Sequence, residues 1–305
     1  MTHAPVVVVG SCNMDLVTRA PRLPQRGETI AGTAFGTYLG GKGLNQAVAA
    51  RRMGAQVAMI ARVGVDSFGD RIRAALADEG IDAALVRATA DAPTGTALIV
   101  VEEGSGDNMI VAVPGANSRL TPTDIDAAAE VLRQARVLLL QLEVPLPTLL
   151  HAARLARDAG AIVILTPAPA QPLPDELLAA TTILVPNAVE IGQLLASPID
   201  PVAGAQRLIA RGVEMVVITQ GERGATLVTH AGAQHVASFA VEAVDTVAAG
   251  DAFAGALAAL LAEGRDAHEA LRYASAAGAL AVTQAGALPS LPTRAAVESF
   301  LRRRG

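Results

Sequence analysis

The stretch VLLLQLEVPLPTLLHAARLARDAGAIVILT, residues 137–166, decides how the chain folds. Its apolar run Val137–Leu142 has strand length and no alternation, as a strand buried on both faces requires. Thr148–Ala159 then repeats apolar residues three and four apart, the spacing of one helix face, and Ile162–Thr166 is again short and β-branched. Strand, helix and strand within thirty residues is a βαβ unit, which builds a parallel sheet. The same alternation extends in both directions. Candidate strands are Val6–Gly10, Val57–Val63, Ile183–Val185 and Met215–Thr219. Candidate helices are Asn45–Met53, Ser67–Glu79, Thr123–Arg133, Val202–Arg211, Gly250–Ala262, Ala267–Val282 and Arg294–Arg303. Thr121-Pro122-Thr123-Asp124 is a helix start, with a Thr cap, Pro at the first position and an acid three residues after the cap. The chain is read as one large α/β domain with a small appendage.

Two regions break the alternation. About thirty residues separate the first strand from the first helix, where a βα loop needs only about 2–6. Within them Leu16–Arg19 and Thr29–Leu39 read as extended. A second extended pair, Thr94–Glu102 and Asn108–Val113, is joined by the turn Glu103-Gly104-Ser105-Gly106-Asp107. The two insertions are expected to form a separate small sheet, a lid over the strand ends, where open α/β sheets bind ligands, with one apolar face that has Val17, Ile30, Phe35, Leu98, Val100, Ile110 and Val113 among its candidates. Surface decoration is the competing reading. A further hairpin pairs Ala225–Val228 with Gln234–Phe239.

Composition narrows the function. The chain has 305 residues, 51% of them apolar and 17% charged, with a formal net charge of −5, so neither global disorder nor nucleic-acid binding is expected. Aromatic residues make up 2%, which removes stacking platforms for single strands. The single cysteine, Cys12, excludes an internal disulfide and suits a reducing cytoplasm. Met1 to Pro5 leads straight into the first strand without a basic leader, and no run approaches a membrane span. A soluble, unprocessed cytoplasmic protein is the expectation.

Three motifs could hold chemistry. Val244-Asp245-Thr246-Val247-Ala248-Ala249-Gly250-Asp251-Ala252-Phe253 is a small-residue turn entering a helix. Its successive N–H groups and the helix dipole would form an anion hole from Ala248, Ala249 and Gly250, suited to a phosphoryl group. Asp251 beside it could take a proton from an attacking hydroxyl, or could simply be a first-turn acid. Leu39-Gly40-Gly41-Lys42-Gly43-Leu44-Asn45 lets a ligand approach backbone and is not a Walker loop; a flexible hinge is the alternative. Asn13 and Asp15, two apart in an extended segment, share a face and could hold vicinal hydroxyls, the amide donating and accepting; an Asn/Asp turn competes. Polar residues also end strands at Glu143, at Asn187 and Glu190, and at Thr219 before Gln220-Gly221-Glu222-Arg223-Gly224.

Together, Gly40-Gly41-Lys42-Gly43-x-Asn45-Gln46-Ala47 and Asp245-Thr246-x-Ala248-Ala249-Gly250-Asp251-x-Phe253 resemble the two signatures of the ribokinase, or phosphofructokinase-B-type, carbohydrate kinases. The similarity covers nearly the whole chain. Asn13-x-Asp15, Pro24-x-x-Gly27-Glu28-Thr29, Gln141-Leu142-Glu143, Pro186-Asn187-x-x-Glu190 and Gly286-Ala287-x-Pro289-Ser290 resemble the ribokinase branch. The resemblance implies a three-layer α/β/α fold with a mostly parallel central sheet and a β-sheet lid. Its core would comprise residues 1–10, 46–93 and 118–305, and its lid residues 11–45 and 94–117, the lid also forming a homodimer. It implies transfer of the ATP γ-phosphoryl group to the primary hydroxyl of D-ribose, giving ribose 5-phosphate, with Asp251 as general base. Sugar contacts are implied at Asn13, Asp15, Gly41, Lys42, Gly43, Asn45, Glu143 and Asp251. Nucleotide contacts are implied at Asn187, Thr219, Gln220, Gly221, Glu222, Gly224, Gly250 and Ser275. Potassium is implied near Asp245, Val247, Ala281, Gln284, Gly286 and Ser290, and magnesium at Glu190 through water. The chain departs from the pattern at Ala252, where Thr is frequent, at Ala254, a common Asn, and at Ser275, where His or Asn often lies near adenine. Kinases of fructose, 2-keto-3-deoxygluconate, deoxyribose, nucleosides or sugar phosphates share the scaffold, and a catalytically silent sugar-binding protein is a rival of another class.

Overall fold

A computed structural model describes residues 5–304. Residues 1–4, where the absence of a leader was read, and Gly305 lie outside them. Nine strands form the main sheet: β1 (Val6–Val9), β4 (Val57–Gly64), β5 (Asp82–Thr89), β8 (Val137–Gln141), β9 (Ile162–Thr166), β10 (Ile183–Leu184), β11 (Met215–Thr219), β12 (Ala225–Thr229) and β13 (Gly232–Val236). Their order is β13-β12-β11-β10-β9-β8-β1-β4-β5. Every pairing is parallel except those made by the hairpin β12–β13. Four more strands, β2 (Asn13–Ala20), β3 (Ala34–Gly40), β6 (Gly95–Glu102) and β7 (Asn108–Val113), form a separate sheet in the order β3-β2-β6-β7. The two insertions thus meet as one sheet, as expected.

Helices are α1 (Lys42–Arg52), α2 (Ser67–Asp78), α3 (Pro122–Ala127), α4 (Ala129–Arg133), α5 (Leu146–Asp158), α6 (Asp175–Ala179), α7 (Ala188–Leu194), α8 (Pro201–Ala210), α9 (Ala249–Ala262), α10 (Ala267–Ala281), α11 (Ala287–Ser290) and α12 (Arg294–Arg304). They cover both faces of the main sheet because successive strand residues point to opposite sides. Val6, Val8 and Leu139 pack with α1, α2, α9, α10 and α12, whereas Val7, Val9, Leu138 and Leu140 pack with α3 to α8. The result is three layers with two apolar cores.

Several expectations shift. The helix read as Thr123–Arg133 is two short helices meeting at Ala128, and the first keeps its reciprocal cap: Thr121 N–H donates to Asp124 Oδ2 at 2.9 Å. Thr29–Leu39 is extended only from Ala34 onward. Strand β5 was not foreseen. It is a half-exposed edge strand carrying Asp82 and Arg87, so it lacks the apolar run that marks the inner strands. Arg62 of β4 and Arg87 of β5 both reach the buried carboxylate of Asp124.

The topology places the site. From β1 the chain winds one way through β4 to β5 and the other way through β8 to β11, so β1 and β8 flank the point where the order reverses. Crevices outside the carboxyl ends of such strands bind ligands. Ser11 and Asn13 leave β1 there, and Glu143 leaves β8. Helices α1 and α9 cross closely above: a Cβ on Gly255 would lie 2.4 Å from Ala49 Cβ and 2.8 Å from the Gln46 carbonyl oxygen. Glycine is required at that crossing, and one turn earlier α9 presents Asp251 to α1.

Candidate active site

Asp251 lies in the first turn of α9 and is buried, 7% exposed. Its Oδ2 accepts from Asn45 Nδ2 at 3.0 Å and its Oδ1 from Gln46 Nε2 at 2.9 Å. Burial pushes its carboxyl above the ordinary carboxylate range, opposed by Lys42 and by the Gln46 and Asn45 bonds. A carboxylate fixed by two amides and made more basic by desolvation is suited to taking a proton. Gln46 belongs to the glycine-loop motif but is not among the residues the sequence points to as a site. It also donates to Thr166 Oγ1 at 2.9 Å and accepts from Gln141 Nε2 at 2.7 Å, a buried amide chain behind the carboxylate. Two adjacent polar residues within the otherwise small and apolar run Gly43–Ala50 were the available signal.

The turn entering α9 is built on Ala248, whose φ of 60° puts a non-glycine residue in the left-handed region. Ala249 N–H donates to the Thr246 carbonyl at 3.4 Å, so one of the three groups expected in the anion hole also closes its own turn. A Cβ built on Gly250 would meet no protein atom within 4 Å, so the room beside the helix end faces outward. The loop is anchored from behind. Val282 O accepts from both Val244 N and Asp245 N, and Asp245 accepts from Val247 N at 3.0 Å and Gly286 N at 2.9 Å. Asp245 therefore caps its own loop and also ties it to the 282–290 segment, which contains Gln284, Gly286 and Ser290 and begins one residue after Ala281. Ser290 Oγ itself donates to Ala287 O.

On the opposite wall, Gly41 precedes α1 with φ 93°, and a Cβ there would lie 2.8 Å from Asn13 N. Gly43 packs as closely against Ser11. Glu143 Oε2 accepts from the Lys42 N–H at 3.0 Å and from Ser11 Oγ, which in turn accepts from Gly43 N–H at 3.3 Å. Ser11 was not foreseen; it links the Glu143 carboxylate to the glycine loop. Asn13 and Asp15 alternate along β2 onto one face. Gly40, the partner of Asn13 in β3, leaves the space into which Asp15 turns, since a Cβ there would lie 2.3 Å from Asp15 Oδ2. Burial, then the charge of Glu143, raises the Asp15 carboxyl to about 6. The Cys12 thiol is pushed up to about 12 by burial and stays protonated. Asn45 Oδ1 is buried without a hydrogen-bond partner among the described residues, a polar atom that a sugar hydroxyl would satisfy.

The nucleotide candidates lie at the ends of β10 and β11, where Asn187 bridges to Thr219. Asn187 and Glu190 form a capping box on α7: Asn187 Oδ1 accepts from Val189 N and Glu190 N, while Glu190 Oε2 accepts from Asn187 N. Burial raises the Glu190 carboxyl, opposed by the Asn187 bond and Lys42. Gln220 N–H donates to the Gly224 carbonyl across the tight turn that holds Glu222. The two glycines there differ. Gly221 has φ 60° with open space beside it, whereas a Cβ on Gly224 would lie 2.2 Å from Val236 O, so Gly224 serves the turn itself. Ser275 is buried on α10 and its Oγ has no partner among the described residues. The donor set thus fits ATP, with a turn open to a ligand and an orphaned hydroxyl. No group of three or more His, Cys, Asp or Glu side chains is placed to hold a metal among the described residues. Magnesium would lean on phosphate and water oxygens, as it commonly does, and the potassium implied near Asp245 would share a carboxylate whose two oxygens already accept from Val247 N and Gly286 N.

Residues 4–294 match the family described as pfkB family carbohydrate kinase. The chain is 40% identical over 300 residues to a ribokinase of Haemophilus influenzae, covering 97% of this chain and 98% of that protein. It is 37% identical over 300 residues to a deoxyribokinase of Salmonella typhi, covering 97% of each. A solved structure of Arabidopsis thaliana ribokinase with ribose and ATP superposes with a TM-score of 0.92 at 34% identity, covering 98% of this chain and 99% of that one.

Proposed function

This chain belongs to the pfkB family of carbohydrate kinases, and from that membership we propose that it transfers the γ-phosphoryl group of ATP to the 5-hydroxyl of D-ribose. The observation that carries the reading is that α1 ties both walls together: its Asn45 and Gln46 hold the buried Asp251 at the start of α9, and Gly41 just before it packs against Asn13 of β2. Asn13, Asp15, Lys42, Asn45 and Glu143 with the Gly41 and Gly43 backbone hold the sugar. Asn187, Thr219, Gly221, Ser275 and the neighbouring turn hold the nucleotide. Asp251 takes the proton from the attacking hydroxyl as it turns nucleophile. The Ala248–Gly250 turn directs N–H groups and the helix dipole at the charge that develops on the phosphoryl oxygens. When bound, magnesium shields the phosphate charge and potassium steadies the anion-hole loop. ATP turnover against free pentoses, hexoses and nucleosides tests the reading; preference for another acceptor would replace ribose without removing the kinase. Asp15 disfavours phosphorylated acceptors, because its charge would repel them. No helix among the described residues is long and apolar enough to cross a membrane, and a cytoplasmic location is the simplest setting for such an enzyme.

The small sheet, residues 11–45 and 94–117 with their turns, is the lid that closes over the sugar and excludes water. Its register divides the apolar residues expected on one face between two. Val17 and Ile110 share the face of Asp15, whereas Phe35, Leu98, Val100 and Val113 lie on the other. Exposed residues occur on both, Ile110 at 57% and Phe35 at 67%, and the edge strand β7 is exposed throughout. A second copy of the chain covers such a sheet by twofold symmetry. Sedimentation is expected to give a dimer at micromolar concentration, and a stable monomer would remove the dimer while leaving the kinase.

The cation site gives a further expectation. At constant ionic strength with magnesium present, turnover should rise severalfold or more when potassium replaces a large organic cation. Asp245→Ala should lower basal turnover, because it unties the loop from Gly286, and should abolish the response to potassium. Equal rates in both salts would strike out the potassium site.

A further inference from the structure

The side chain of Asn117 is gripped by a single backbone residue. Cys12 N–H donates to Asn117 Oδ1 at 2.9 Å, and Asn117 Nδ2 donates to the Cys12 carbonyl at 3.3 Å. A backbone N–H can only donate and a carbonyl can only accept, so these contacts decide which end of the amide is oxygen. The second Nδ2 hydrogen then donates to Asn13 Oδ1 at 2.7 Å. That bond decides Asn13 in turn: its oxygen is turned toward Asn117 and Gly95, which leaves Nδ2 as the end that can serve a ligand. Both amides are buried, Asn117 at 1% exposed.

This lock sits where the small sheet leaves the core. Asn13 opens β2, its partner Gly95 opens β6, and Asn117 lies in the turn Gly115–Arg119 that follows β7. Gly95 is needed for the lock, because a Cβ there would lie 2.3 Å from both Asn117 Nδ2 and Asn13 Oδ1. Neither Asn117 nor Gly95 was foreseen from the sequence.

We propose that Asn117 is a positioning residue for sugar recognition, fixing the Asn13 amide as a hydrogen-bond donor beside the acceptor Asp15. The pair is then a fork of one polarity. A sugar hydroxyl accepts from Asn13 Nδ2, and a hydroxyl donates to the Asp15 carboxylate, which selects neighbouring hydroxyls able to play both roles. The identity of the sugar rests on the ribose reading; the polarity does not.

A double-mutant cycle between Asn117→Ala and Asn13→Ala tests it, read as KM for sugar and for ATP alongside kcat. In the wild-type background Asn117→Ala is expected to raise the sugar KM about tenfold, as loss of one oriented hydrogen bond does. KM for ATP and kcat should stay within about twofold. In the Asn13→Ala background the same change should add less than about twofold to the sugar KM. Equal effects in both backgrounds, or parallel changes in ATP KM and kcat, would make Asn117 merely structural. Because Asn117→Ala strips partners from Cys12, Asn13→Asp decides the polarity without it: Asn117 keeps its acceptor, but the site now meets oxygen instead of N–H. The sugar KM should rise at least as far as in Asn13→Ala, and a near-normal value would overturn the proposal. Wild-type turnover of ribose is the control; should another sugar be preferred, the cycle is read with that sugar, so the two readings fail separately.

Discussion

Asp251→Asn is expected to lower kcat by roughly 10²–10⁴, the range for loss of a general base, while the protein folds and binds sugar. An asparagine has the same shape and cannot take a proton from a hydroxyl. It would set an NH₂ against one of two donors, Asn45 Nδ2 or Gln46 Nε2. The Asn45 amide can relieve the conflict by turning, because its Oδ1 has no partner to lose among the described residues. Replacing a buried carboxylate also removes a desolvated charge, so the melting temperature should fall little, if at all. Turnover within about tenfold of wild type would show that Asp251 is a helix-end acid and no more. Since burial raises this carboxyl, kcat should decline on the acid side above the ordinary carboxylate range, as the base takes up its proton.

The second large effect is expected in binding. Asp15→Ala should raise the sugar KM roughly 10- to 100-fold, the scale of one or two hydrogen bonds to a charged group, with little change in KM for ATP. Asp15 lies on β2, while the nucleotide candidates gather at the ends of β10 and β11. Equal effects on both substrates would make Asp15 structural. Its raised carboxyl adds a pH signature. The charged acceptor is present above pH about 6 and is lost as the pH falls through that value, so kcat/KM for sugar should drop there. In Asp15→Ala that inflection should be gone.

The buried strands were legible because βαβ units write long apolar runs: Ile162–Thr166 and Met215–Thr219 match their observed bounds. Strand β5 was not, since an edge strand needs no such run. The glycine loop and the turn before Asp251 stand out in the sequence by their small residues alone. What stayed hidden depends on contacts across the chain. Gln46 reads as one more polar residue until the crossing at Gly255 brings it to Asp251, 205 positions away. Asn117 reads as a turn asparagine until the small sheet folds back and sets it against Cys12 and Asn13. The one-faced apolar lid failed for a related reason: alternation assigns faces within a strand, but only the register between strands shows that Ile110 and Leu98 lie on opposite sides.

The reaction proposed for this chain is phosphoryl transfer from ATP to the primary hydroxyl of ribose. It is tested most directly by giving the enzyme ATP, magnesium and potassium with an equimolar mixture of ribose, deoxyribose and fructose, and identifying the first phosphorylated product by phosphorus–proton correlation. Ribose carrying phosphate on C5 should dominate the early product. Phosphate on another carbon, a different sugar consumed first, or ATP hydrolysed with no sugar phosphate formed would contradict it.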